Sequence, residues 1–406
     1  MYLKFAWRYF KAKKSANAIN IIAWVTTGVI AFATCCQILV LSVFNGFEDI
    51  VKSMYSSFYA DIKITPETGK TFHLSTSTIN QLRQLPAIER LSCSIEEKAL
   101  IKNESFQSVV QLKGIEKEYE QISGVPKNII LGKYETGDSV QPKLILGSGV
   151  QNALGISLNE AFAPEQLTVI LPKSKIISND PLETISEANA IPAGVFAIQQ
   201  DFDNSYVLTN IDFVKQQMGL DSNEYSTLEI KTNPQCNIQE LKKEIGNILG
   251  KGFELKDKYE QNANLYTTMK TEKWAIYALL CLILIIAAFN MVSALTMLVM
   301  EKKQDISILQ SMGGNRNLIQ KIFLSEGLLL GGIGTVIGTV MAVAICLAQL
   351  KFKFIKLTGG SFVIDYFPVK LMATDIMMVI STSTFISFAA SFMPSLKASR
   401  QKQLLR

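Results

Sequence analysis

The sequence predicts a membrane protein: four transmembrane α-helices plus an α+β extracytoplasmic domain with a β-rich inserted subdomain. Three observations lead there. Of 406 residues, 48% are hydrophobic and the mean hydropathy is positive, more apolar than an ordinary soluble chain. The excess is concentrated in four stretches. Each is long enough for a helix across a hydrocarbon layer about 30 Å thick, which takes roughly 20 residues. The segment between the first and second stretches is polar and mixed enough to bury a core of its own.

The first stretch, residues 19–44, follows Lys11, Lys13 and Lys14 in a basic N-terminus of residues 1–18. A secretory signal starts the same way, but its apolar region spans only about 7–15 residues. This one runs on into Asn45, so an uncleaved anchor is expected. The remaining spans are residues 274–299, 322–350 and 371–393, without Lys, Arg or Asp deep inside them.

Cationic flanks favour the cytoplasm. Lys4, Arg8, Lys11, Lys13 and Lys14 place the N-terminus there. Four crossings then put segment 300–321, with Lys302, Lys303, Arg316 and Lys321, on the same side, along with tail 394–406 carrying Lys397, Arg400, Lys402 and Arg406. The outer loop 351–370, with Lys351, Lys353, Lys356 and Lys370, runs against this trend. The net charge of +5 is therefore mostly a topology signal. With no basic stripe interleaved with aromatics, it implies no nucleic acid.

Residues 45–273 form the outer domain. Strands are expected at 61–65, 90–101, 105–113, 166–171, 193–199 and 226–232, and helices at 78–85, 212–218 and 238–249. Ile238, Leu241, Ile245, Ile248 and Leu249 line one face of the last helix, and Gly250 ends it. The Gly- and Pro-rich middle, about 114–210, reads as the β-rich insert. Residues 172–191, with Pro172, Lys173, Ser174, Ser178, Asn179, Asp180 and Pro181, read as an exposed loop: a solvated connector or a projecting contact loop. Residues 256–271 are expected to continue as a helix into the second span. Cys35, Cys36, Cys281 and Cys346 fall in spans as packing residues, while Cys93 and Cys236 are candidates for one disulfide.

Several chemistries are missing. No Gly-x-x-x-x-Gly-Lys-Ser/Thr loop is present to cradle phosphates, and Gly331-Gly332-Ile333-Gly334 lies in an apolar span without lysine. The one histidine, His73, and the absence of a Cys-x-x-Cys pair argue against metal. No Gly-x-Ser-x-Gly nucleophile turn occurs. A non-catalytic chain without a cofactor is expected.

Two patterns point to coupled motion. Gly327, Gly331, Gly334 and Gly338 recur at offsets of 4, 3 and 4, which aligns them on one helical face where another helix can approach closely, within this subunit or from a partner. Glu326 sits about one turn inside that span, where an ionisable group usually finds a partner. Between the second and third spans, Glu301, Lys302, Lys303, Gln304 and Asp305 precede Ile306, Ser307, Ile308, Leu309 and Met312, and Gly313 stops the run. A short amphipathic helix follows, with Ile306, Leu309 and Met312 as its apolar strip. It suits the membrane surface or a groove on a soluble motor.

These residues resemble a known family. Asn45-Gly46-Phe47-Glu48 after the first span, with Phe5-Ala6-Trp7-Arg8-Tyr9-Phe10 at the start, is similar to the signature of LolC/LolE-type lipoprotein-releasing permeases. The segment from Glu301 to Gly313, Glu326-Gly327 with the following glycines, and Met393-Pro394-Ser395-Leu396-Lys397-Ala398-Ser399-Arg400 resemble the wider MacB/FtsX-type permeases. The resemblance spans the chain. It implies a MacB-like periplasmic core, a multi-pass location in a bacterial inner membrane with both termini cytoplasmic, a cytoplasmic ABC ATPase that binds the ATP and Mg, and a second permease subunit, identical or paralogous. It further implies a lipoprotein substrate and mechanotransmission, with Glu301 to Gly313 contacting the ATPase. Pro172, Lys173, Asn179, Asp180 and Pro181 fall where a family member contacts a periplasmic lipoprotein chaperone. The alternatives within the superfamily are a MacB-like exporter of small molecules or peptides and an FtsX-like regulator of cell-wall hydrolases.

Overall fold

The computed structural model describes residues 17–157, 166–174, 184–357 and 366–400. Lys4, Arg8, Lys11, Lys13, Lys14, Lys402 and Arg406, the aromatic start, and Ser178, Asn179, Asp180 and Pro181 lie outside the described residues. The chain divides into two compact units, one of Met1–Ile50 with Thr267–Arg406 and one of Val51–Tyr266.

Helix α1 (Asn17–Phe58) opens the chain. It continues well past residue 44 because hydropathy marks the apolar stretch and not the end of the hydrogen-bond ladder. Val51, Tyr55 and Phe58 keep helical spacing and join an apolar cluster of the globular unit with Tyr119, Phe196 and Phe202.

The globular unit continues through β1 (Ile62–Pro66), β2 (Phe72–His73), α2 (Thr76–Arg83), β3 (Ile88–Asn103), β4 (Phe106–Ile115), β5 (Ile129–Gly132), β6 (Lys143–Gly147) and α3 (Ser148–Ala153). It goes on with β7 (Leu167–Pro172), β8 (Ile185–Phe196), α4 (Gln200–Asp203), β9 (Tyr206–Asn210), α5 (Ile211–Met218), β10 (Glu224–Tyr225), β11 (Thr227–Thr232), α6 (Ile238–Leu249), β12 (Phe253–Asp257) and α7 (Lys258–Gln261). Strands β12, β1, β11 and β3 lie side by side in that order, each pair antiparallel. With α2 after β1 and α6 after β11, this is the split β-α-β arrangement of a ferredoxin-like half. Ile62, Ile64, Leu91, Cys93, Leu228 and Ile230 bury one face of that sheet against Leu82, Leu241 and Ile245.

The insert grows out of β3. The first part of β3 pairs with β11 up to Ser94, and its remainder pairs with β4 through a hairpin where Glu104 takes a positive φ of 48°. From there β4 pairs with β9, β9 with β6, β6 with β8, β8 with β7, and β7 with β3. The strands therefore close into a ring, which leaves no free edge within it, around Val110, Leu112, Leu144, Leu146, Val169, Val195 and Val207. The insert thus begins in the second part of β3 and not near residue 114, because the pairings that draw β3 and β4 into the ring, with β7 and β9, are distant in sequence.

Three further expectations change. Residues 185–191, read as loop, are the start of β8: Pro172 pairs with Ile185, and the Lys173 N–H donates to the Thr184 carbonyl at 2.8 Å. Residues 256–271 do not form one helix. Asp257 and Glu260 build a capping box for α7, and Asn262 (φ −133°, ψ 52°) interrupts the chain before the next helix. Cys93 and Cys236 are both free. Cys93 lies on β3 opposite Leu228, and Cys236 follows β11 and packs at the edge of the same apolar cluster, each thiol unbridged.

Four helices complete the chain: α8 (Ala263–Glu301), α9 (Lys303–Ser311), α10 (Arg316–Phe352) and α11 (Ala373–Ser399). With α1, helices α8, α10 and α11 are long and apolar enough to cross a membrane. The expected span 371–393 falls short of α11, which carries Pro394 within it and runs on to Ser399; one missing ladder donor has not ended the helix there.

Candidate functional site

In the helical unit, three helices meet at one buried polar hub. Asn45 on α1 is 2% exposed. Its amide nitrogen donates to the Asp375 carboxylate at 2.7 Å, and its amide oxygen accepts from the Lys273 ammonium of α8 at 2.9 Å. Lys273 also pairs with Asp375 at 2.9 Å. Asp375 occupies the first turn of α11, where the helix dipole favours a carboxylate. An asparagine suits this place because it offers a donor to the anion and an acceptor to the cation.

The next motif residues extend the same joint. A Cβ on Gly46 would lie 2.5 Å from the Pro368 carbonyl carbon and 2.7 Å from the Val369 nitrogen, so only glycine admits that backbone. Phe47 meets Phe367 edge to face, centroids 5.7 Å apart. The Lys370 N–H donates to the Ser42 carbonyl at 2.9 Å, and its ammonium pairs with Asp49. Glu48 is half-buried. The structure thus places the segment after the first span as the clamp between α1, α8 and the residues leading into α11.

The glycine stripe forms a second joint. A Cβ on Gly327 would come within 2.1 Å of Ser391 Oγ, and one on Gly331 within 2.3 Å of Ser387 Oγ. Gly334 and Gly338 instead meet α1, at the Thr27 carbonyl (2.9 Å) and the Ala31 carbonyl (2.3 Å). All four pack within this subunit, but against two different helices: the stripe turns from α11 to α1 as it climbs α10. Facing it is a pattern the sequence reading missed, the buried serines Ser383, Ser387, Ser391, Ser395 and Ser399 at every fourth position of α11. Their hydroxyls bond locally, Ser391 to the Ser387 carbonyl at 2.6 Å and Ser399 to the Leu396 carbonyl at 2.8 Å, while Ser383 meets Thr335 at 2.6 Å. Glu326, beside Gly327, is buried.

Helix α9 is short. The Lys302 ammonium pairs with Asp305 at 2.9 Å across its first turn, and Gly313 (φ 89°) and Gly314 end it, the Gly314 N–H donating to the Leu309 carbonyl at 2.9 Å. Its apolar face differs from the expected strip. Ile306 is buried among Leu298, Val299, Ile319, Phe323 and Ala398, and Leu309 is half-buried. The residues left outward are Ile308 and Met312, 59% and 79% exposed. The reason is rotational: Ile306 turns into the bundle, which carries the i, i+4 pair Ile308 and Met312 to the far side. Glu301 closes α8, and Lys303 and Gln304 are exposed.

The globular unit carries its own polar centre. Lys113, 1% exposed, bridges Glu229 at 2.7 Å and Glu96 at 3.0 Å; Lys63 reaches Glu96 at 2.8 Å. Four strands, β1, β3, β4 and β11, are tied there. Burial alone would lower the Lys113 ammonium, but Glu229, Tyr119 and Glu96 carry it well above its usual range. Burial would likewise raise Glu96, yet Lys113 and Lys63 hold it down at about 2. No nucleophile and base stand together in this network.

Residues 277–403, which hold most of α8 and all of α9, α10 and α11, match the family model described as FtsX-like permease C-terminal. This stretch of the chain is similar to an FtsX-like permease domain. Over 97% of its length it is 25% identical to the lipoprotein-releasing system transmembrane protein LolE of Haemophilus influenzae, covering 96% of that protein. It is 27% identical over 97% of its length to the corresponding LolC protein of Neisseria meningitidis serogroup B, covering 95% of it. Among solved structures, the periplasmic region of MacB from Actinobacillus actinomycetemcomitans is 14% identical, with a TM-score of 0.38, over 54% of this chain and 98% of that one.

Proposed function

We propose that this FtsX-like chain is the transmembrane subunit of an inner-membrane ABC transporter that releases lipoproteins, with ATP and Mg bound by a separate cytoplasmic ATPase. The observation that carries the reading is the similarity, from end to end, to transmembrane proteins of lipoprotein-releasing systems. The chain contributes no hydrolysis and no substrate channel; it transmits motion. Helix α9 takes the push at Ile308 and Met312, the exposed pair that fits an apolar groove. The seam of Gly327 and Gly331 on Ser391 and Ser387 lets α10 and α11 move as packed neighbours, and the Asn45 hub closes the far side of the joint. A second permease subunit completes the membrane part. The cycle is driven by the different affinities of the partner for two states of this chain, set by nucleotide.

The test is copurification of the tagged full chain from membranes, with mass spectrometry and an ATP hydrolysis assay, alongside depletion in cells. An ATPase with bound lipoproteins, and lipoproteins retained in the inner membrane on depletion, support the reading. An ATPase with a periplasmic adaptor or a cell-wall hydrolase replaces it by the exporter or regulator reading, and no ATPase overturns it.

A further inference from the structure

A cluster in the globular unit has no part in transmission. His73 ends β2 and Glu224 begins β10, and the two are directly paired across a two-stranded antiparallel ribbon that stands apart from the main sheet. Asp221 lies at the start of the turn before Glu224, whose N–H donates to the Asp221 carbonyl at 3.1 Å. The ligating atoms of His73, Asp221 and Glu224 lie within 4.8 Å of one another. We infer that these three side chains form a binding site for a divalent transition-metal cation of the zinc class.

The donor set fits such an ion: one imidazole nitrogen and two carboxylates are borderline ligands, and their two negative charges match a dication. Metal–ligand bonds of about 2.0–2.2 Å hold ligand atoms roughly 3–4 Å apart. The present spacing is close to that range, and His73 and Asp221 are exposed at the surface. Glu224, 7% exposed, is the fixed member. The Thr71 hydroxyl donates to one of its oxygens at 2.5 Å, the kind of outer contact that orients a ligating carboxylate. His73 Nδ1 faces Asn223 Oδ1 at 3.4 Å; with Nδ1 as donor, the Nε2 lone pair is left for the metal.

The backbone beneath is already anchored. Phe72 packs edge to face on Phe253 with centroids 5.2 Å apart, and the Leu74 N–H donates to the Asn223 carbonyl at 3.0 Å. A ribbon of two residues per strand is marginal by itself. A shared ion joins its two strands, which lie far apart in sequence. That separation is why a single histidine without neighbouring cysteines gave no metal signal.

The experiment uses the full-length chain in detergent, stripped with chelator and titrated with ZnCl2 by calorimetry, with Co2+ absorption as a second probe. One equivalent binds, affinity falls at least tenfold in both His73→Gln and Asp221→Asn, and hydrogen exchange slows at residues 71–74 and 221–225 on adding zinc. Absence of saturable binding, or wild-type affinity in either variant, overturns the site. His73 and Asp221 are exposed, so both variants keep the fold, which far-ultraviolet circular dichroism checks. The outcome is independent of whether the chain releases lipoproteins.

Discussion

Replacing Gly331 by alanine tests the seam between α10 and α11. The new Cβ would stand 2.3 Å from Ser387 Oγ and 2.5 Å from its Cβ, while the next atom, Ser387 Cα, is 3.9 Å away. Ordinary contact begins near 3.4 Å, so the helices must part by about 1 Å or Ser387 must be displaced. Overpacking of that size costs about 1–3 kcal/mol. Removing the obstacle in the double variant Gly331→Ala with Ser387→Gly eliminates both close atoms and leaves only the helix penalty of glycine, about 1 kcal/mol. The double variant should therefore be more stable than the sum of the two single changes by roughly 2 kcal/mol, a coupling that a double-mutant cycle measures directly. Gly332→Ala is the control, because nothing lies within 4 Å of its Cβ. The assay is equilibrium unfolding of the full chain in mixed micelles. If Gly331→Ala is neutral, or if Ser387→Gly fails to rescue it, the seam is not packed as described.

Three other outcomes follow from the structure. Asp375→Ala removes the carboxylate shared by Asn45 and Lys273 and should lower stability by about 2 kcal/mol in the same unfolding assay, less than for a fully buried pair because Lys273 is 23% exposed. Ile308→Asp and Met312→Asp should abolish copurification of the ATPase while leaving unfolding unchanged, whereas Ile306→Asp should destabilise the chain itself; equal effects from all three would refute the division of that helix. Glu96 is held down at about 2 from 4.5, and a depressed carboxylate stabilises the fold fully above its unfolded value and loses that contribution as the pH falls toward its folded one. Acidification between about pH 4.5 and 2 should thus remove on the order of 3 kcal/mol from the globular unit. Lys113, raised in the folded state, keeps its contribution throughout that window, so Glu96→Gln should flatten the acid limb seen by hydrogen exchange in β3 and β4.

The parts of the molecule governed by local pattern were legible in the sequence. Helix α6 matches its apolar spacing from Ile238 to Leu249, and the charged start and glycine stop of α9 were readable from Lys302, Asp305 and Gly313. What escaped depends on partners distant in the chain. Nothing near Asn45 announces Asp375, because the two come together only when α1 and α11 pack. The rotation that hides Ile306 and exposes Ile308 is set by Phe323 and Ala398, which belong to other helices. Ring closure depends on parallel pairs such as Gln111 with Tyr206, and short strands like β6 and β9 carry too little alternation to be read alone. The serine ladder of α11 was visible as a repeat, but hydropathy hides it by scoring serine as merely polar.

The position of β1 bears on how the chain is made. Its two neighbours in the sheet are β11 and β12, and β1 ends at Pro66 while β11 starts only at Thr227. At a synthesis rate of about 5–20 residues per second, β1 waits on the order of ten seconds after leaving the ribosome before either neighbour exists. The ring formed from β3 to β9 needs neither, so it can mature while the earlier strand stands with both edges bare. An N-terminal fragment released before β11 would therefore combine a finished barrel with an unprotected strand, the form of this chain most exposed to aggregation and most dependent on a holding chaperone.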